Sequence, residues 1–236
     1  IYFLISHFYF LSKISDYKWF KIHFRYGYTN FLASVISIFS SNLLILISGY
    51  YLTKLELGII SFIMTFTISF IVLSSTIQIN FNPIFAKKWA TNEIQEINIL
   101  IKKIFKNTLP LFIPVLFFGS IIYYVYVVVF MPVEFKSTFA LFFIIFLGQG
   151  MFFLFSWPST MLFLAGYIKQ NLIRNIILII LNISMSFCFI NLFGINGVVI
   201  SSILISVSSI IITYYFIKKY LKLDILNLIK SCKNNV

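Results

Sequence analysis

Long apolar runs free of Lys, Arg, Asp and Glu constrain this chain more than anything else in it. A helix needs roughly 20 apolar residues to cross the hydrocarbon core. There, a lone segment satisfies its backbone only as a helix. The runs at 28–52, 58–80, 107–131 and 138–165 meet that requirement, as do a fifth ending near 193 and a sixth reaching 217. Only 10% of residues are charged, against about 25% in soluble domains. The sequence therefore predicts an all-α, polytopic integral membrane protein.

The net charge of +12 is a question of placement. Basic residues cluster at the ends of the apolar runs and not along a stripe that tracks phosphates, so nucleic acid is not the expected partner. Sixteen Lys and Arg fall on alternate inter-span segments and two on the others. By the positive-inside rule, six spans then have both ends in the cytoplasm.

The stretch 82–107, NPIFAKKWATNEIQEINILIKKIFKN, is the most polar in the chain. Asn92 followed by Gln95 reads as an N-cap with its capping-box partner. Ile94, Ile97, Ile101, Ile104 and Phe105 form an apolar stripe at helical spacing. A basic amphipathic helix of this kind is expected to lie on the membrane surface. Residues 12–27, with Lys18, Lys21 and Arg25 on one face, read as a second interfacial helix.

Pro110 and Pro114 are expected to kink or locally unwind the third span. Trp157-Pro158 marks a break in the fourth, and Gly194 and Gly197 bound a tight uncharged turn. Gly148 and Gly150 suit close helix packing. Amides within spans seek partners from another helix or from a polar cavity. Gln149, Asn42, Gln78, Asn80 and Asn182 therefore each have two readings, interhelical contact or substrate contact. Arg174, beside the end of the fifth span, reads either as an ordinary positive-inside residue or as a partner for phosphate oxygens. Arg25 has the same two readings. His7 and His23 lie at the interface.

Cys188 in a span and Cys232 in the tail make neither a disulfide framework nor a metal site, and no cofactor is called for. Acid–base catalysis needs positioned carboxylates or histidines. The six acidic residues, Asp16, Glu56, Glu93, Glu96, Glu134 and Asp224, are scattered over loops and tails, so an enzyme is not expected.

In order, the segments GYYLTKLELGIISF, NPIFAKKWA, LGQG, LAGYIKQNLIRN and NLFGINGVVISS resemble the C-terminal half of Wzx-type polysaccharide-biosynthesis transporters. These belong to the multidrug/oligosaccharidyl-lipid/polysaccharide exporter superfamily. The resemblance implies a six-helix lobe of a two-lobed (6+6) transporter in the bacterial inner membrane. It divides the chain into the end of a truncated preceding span (1–11), a cytoplasmic interlobe linker (12–27), the lobe (28–217) and a basic cytoplasmic tail (218–236). It further implies a flippase for undecaprenyl-pyrophosphate-linked oligosaccharide, destined for O-antigen or a related polysaccharide. Its partners would be the missing N-terminal lobe or a second copy, and polysaccharide assembly proteins. The alternative within the superfamily is a cation-coupled multidrug antiporter, which usually needs an intramembrane carboxylate.

Overall fold

The computed structural model describes residues 17–69, 71–136 and 138–233. The expected end of a preceding span at 1–11 and the linker's residues 12–16 lie outside the described residues. Helix α1 spans Tyr17–Tyr51, α2 Lys54–Ser69, α3 Ile71–Ala90 and α4 Ile94–Phe130. A short α5, Val133–Lys136, leads to α6, Phe139–Ser156. A 3-10 turn, Trp157–Thr160, joins α6 to α7, Met161–Leu164. Then come α8, Ile168–Phe193, α9, Ile195–Leu221, and α10, Ile225–Lys233. No strand occurs among the described residues.

Among those residues, six helical stretches are long and apolar enough to cross a membrane, counting Lys54–Ala90 and Phe139–Leu164 as one each. The chain is a multi-pass membrane protein.

Several helices run past the expected ends of the spans. The interfacial helix expected at 12–27 is, from Tyr17 on, the start of α1. The surface helix expected at 92–106 is likewise the first part of α4. At 37 residues, α4 is about 55 Å long, well beyond a hydrocarbon core of about 30 Å. Pro110 and Pro114 sit inside α4 without unwinding it.

Most of the apolar stripe of α4 packs inside the protein, with Ile94 at its start exposed. Ile97, Ile101 and Phe105 are fully buried in a core with Phe81, Phe85, Trp157, Met161 and Ile217. The Phe105 and Trp157 rings lie 5.3 Å apart. Periodicity showed that this face is covered; the neighbouring helices, and not headgroups, cover it. Leu223 and Ile225 close the same core, so the expected tail folds as α10 against the bundle.

A second core fills the other end, with Ile60 and Ile63 of α2, Tyr123 of α4, Phe142 and Phe146 of α6, and Val198 of α9. Tyr123 and Phe142 stack at 3.7 Å between ring centroids. The Tyr123 hydroxyl and Thr138 Oγ1 share a hydrogen bond of 2.9 Å, which satisfies the polar tip of a buried ring.

The caps differ from expectation in an instructive way. Asn92 has φ +58° and closes α3 instead of opening α4. Its N–H donates to Trp89 O, and that of Glu93 donates to Lys88 O, the two bonds of a Schellman motif with Asn at the left-handed position. Gly166 ends the preceding helix in the same way. The capping box is at Thr53 and Glu56: Thr53 N–H donates to Glu56 Oε2 at 3.0 Å, and Glu56 N–H donates to Thr53 Oγ1 at 3.3 Å. Gly194, at φ +55°, is the whole joint between α8 and α9. Gly197 already lies within α9, where a Cβ would sit 2.0 Å from Phe189 O. The two helices touch backbone to backbone there.

Candidate functional site

A cavity of about 290 Å³ lies among α1, α2, α6, α8 and α9. Hydroxyls dominate its polar lining: Ser37 and Ser40 of α1, Ser156 and Ser159 beside the break, and Ser202, Ser206, Ser209 and Thr213 of α9. The α9 residues recur at helical spacing and so form one polar stripe on an otherwise apolar span. Close approach of α6 and α9 comes from Gly148, where a Cβ would meet Ile203 Cγ1 at 2.9 Å. That contact lets Gln149 Nε2 reach Ser202 Oγ at 3.2 Å.

The charged member is Arg174, 7% exposed and in the second turn of α8, beside its N-terminal end. Its Nη1 donates to Ser159 O at 2.7 Å, while Nη2 and Nε donate to Asn175 Oδ1 at 2.9 and 3.3 Å. The Ser159 carbonyl is available because the 3-10 turn at Trp157-Pro158 interrupts the α-helical ladder. Among the described residues no carboxylate pairs with Arg174, and none lines the cavity. Desolvating an ion costs several kcal/mol after relaxation (about that order). Neutral acceptors leave its charge uncompensated.

Polar contacts tie the cavity wall together. Asn175 Nδ2 donates to Ala33 O at 3.2 Å and Asn182 Nδ2 to Ser40 O at 2.8 Å, both across to α1. Ser186 Oγ donates to Asn182 Oδ1 at 3.2 Å.

Of the residues singled out in the sequence, Gln149, Arg174 and Asn182 line this cavity together. Asn42 and Asn80 are exposed and donate back to their own helices, to Ile38 O and Thr76 O. Gln78 is half-buried and Arg25 exposed; neither is in the wall. Pro158 is buried at the start of the 3-10 turn. Pro110 and Pro114 are exposed, away from the cavity. Asn175 and the serines were missed, although their spacing on α8 and α9 was visible.

The cavity wall carries no carboxylate, histidine or thiol. Among the described residues no cluster of His, Cys, Asp and Glu could hold a metal ion. The arrangement suits binding of a hydroxylated, anionic ligand: hydroxyls and amides for polar groups, and a guanidinium fork for phosphate oxygens. Comparisons with family models, curated proteins and solved structures give no match.

Proposed function

We propose that this chain is a six-helix lobe of a 6+6 flippase, with both ends on the cytoplasmic side of the bacterial inner membrane. Its cargo is a polyprenyl-pyrophosphate-linked oligosaccharide, moved by alternating access on the way to O-antigen or a related surface polysaccharide. The observation that carries this reading is the buried Arg174, uncompensated by any carboxylate among the described residues, in a hydroxyl-lined cavity. Ionisable residues within spans face cavities and mark substrate paths, and Arg suits pyrophosphate. The sugar hydroxyls meet serines and Gln149, while the polyprenyl tail stays in lipid. A second lobe, or a second copy, supplies the opposite wall, and rocking of the two exposes the cavity to either side. Polysaccharide assembly proteins are the natural partners. The cation-coupled antiporter of the same superfamily calls for an intramembrane carboxylate, and the cavity wall contains none.

The test is export of surface polysaccharide in cells whose own transporter is replaced by this protein or its variants. Arg174→Ala and Gln149→Leu are expected to lower export while membrane protein level is unchanged. Normal export by both variants would remove the cavity from transport. Drug sensitivity on deletion, with polysaccharide intact, would favour the antiporter.

A further inference from the structure

Asn175 follows Arg174 on α8, and both are buried. Its Oδ1 accepts from Nη2 at 2.9 Å and from Nε at 3.3 Å. That is the edge of the guanidinium a carboxylate would take, occupied here by a neutral oxygen. The amide's orientation is fixed from its other side, where Nδ2 donates to Ala33 O on α1 at 3.2 Å. Turned over, it would set an NH₂ against both arginine donors and a carbonyl against a carbonyl.

Arg174 has five N–H donors. Three are used, and every acceptor is a neutral carbonyl. One N–H on each terminal nitrogen remains on a residue that lines the cavity. The side chain is thus held firmly without being neutralised.

We propose that Asn175 is a positioning residue that keeps Arg174 aimed and electrically unpaired, so that the cavity accepts an anion. An aspartate has nearly the same shape, so Asn175→Asp sets a charge beside Arg174 and gives up the Nδ2 bond to Ala33 O. It would turn the neutral clamp into an ion pair and remove the attraction for phosphate. This deepens the reading of Arg174 as an anion-binding residue and rests on it.

The experiment measures binding of inorganic pyrophosphate and the thermal midpoint on the purified full chain in detergent. Wild type is expected to bind and Arg174→Gln not to bind. Asn175→Asp is expected to lose at least about tenfold in affinity, as loss of one charge-assisted contact implies, with its melting temperature close to wild type because the new ion pair with Arg174 offsets the lost bond to Ala33 O. That combination separates the proposal from a purely structural role, in which stability and binding would fall together. Asn175→Asp binding like wild type, while Arg174→Gln does not bind, overturns the proposal and leaves the anion site standing. No binding by wild type, or equal binding by Arg174→Gln, overturns the anion site itself and the proposal with it. If Asn175→Asp melts lower, Asn175→Ser decides, because it keeps a neutral acceptor. Binding retained by the serine variant supports the proposal, and binding lost with stability overturns it.

Discussion

Arg174 and Ser159 meet where the chain turns from α6 into the 3-10 segment, with Nη1 donating to the Ser159 main-chain oxygen at 2.7 Å. Through Asn175 the same guanidinium is linked to Ala33 O on α1. One side chain therefore ties the broken helix, α8 and α1 together around the cavity. The tie needs a planar fork with donors on separate nitrogens, which Arg has and Lys lacks.

Arg174→Lys tests that distinction. Lysine keeps the charge but presents a single ammonium that cannot serve Ser159 O and Asn175 Oδ1 with arginine's geometry. Transport is expected to fall by about tenfold or more, as for loss of a bidentate charged contact. The measurement is the initial rate of polysaccharide export at matched membrane protein level. A lysine variant near wild-type rate would show that charge alone suffices.

The burial of the α4 stripe predicts a contrast between neighbours. Ile101 is fully buried and Ile99 is 64% exposed. Ile101→Ala should cost about 2–5 kcal/mol, the range for an emptied core site. Ile99→Ala should stay within about 0.5 kcal/mol, as for an ordinary surface change. Equilibrium unfolding in mild detergent reads both. Equal, small effects would return this stretch to the membrane surface.

The six spans were legible because charge-free apolar length has few other uses, and the break at Trp157-Pro158 was legible because proline lacks an N–H. Cap assignment failed at Asn92 for a physical reason. Asn is favoured both at an N-cap and at the left-handed position closing a helix. With Trp89 before it and Ile94 after it, only the three-dimensional turn decides. The true capping box, Thr53 to Glu56, falls between two expected spans, where Glu56 reads simply as one of the loop residues. In the cavity, Gln149 and Arg174 stood out by type. Asn42 and Asn80 shared Gln149's chemistry, but their helix faces are exposed, which a single sequence does not mark. The serines were overlooked because hydroxyls are common in membrane helices and bond back to their own backbone, as Ser206 does to Ser202 O.

Two glycines should respond to alanine with opposite signs. At Gly197 a Cβ would lie 2.0 Å from Phe189 O and 2.8 Å from Ile190 Cα, both backbone atoms that cannot swing aside. Gly197→Ala should destabilise by about 1–3 kcal/mol or more, as overpacking does. At Gly58, inside α2, nothing lies within 4 Å. Gly58→Ala should stabilise by about 0.5–1 kcal/mol through helix propensity. Thermal midpoints in detergent check the pair. A harmless Gly197→Ala would mean that α8 and α9 do not meet backbone to backbone.

The turn between α3 and α4 should respond to acid through Glu93. Thr91 Oγ1 donates to Glu93 Oε1 at 2.6 Å, and Lys88 Nζ lies 3.2 Å from Oε2. The Thr91 hydroxyl first, and the Lys88 ammonium second, hold this carboxyl below the usual glutamate range. A depressed carboxyl favours the folded turn above its ordinary pKa, and that contribution is lost as pH falls through the lowered value. Lowering the pH from neutral through the carboxylate range should therefore loosen residues 91–97. The site is exposed, so the effect is local and does not melt the protein. Amide hydrogen exchange, corrected for intrinsic rates, should show protection at Glu93, Ile94 and Ile97 falling on acidification. Glu93→Gln should show the loosened turn already at neutral pH and a flatter response, with Lys88 still paired to Glu96. An unchanged acid response in Glu93→Gln would move the pH sensitivity of this turn to another group.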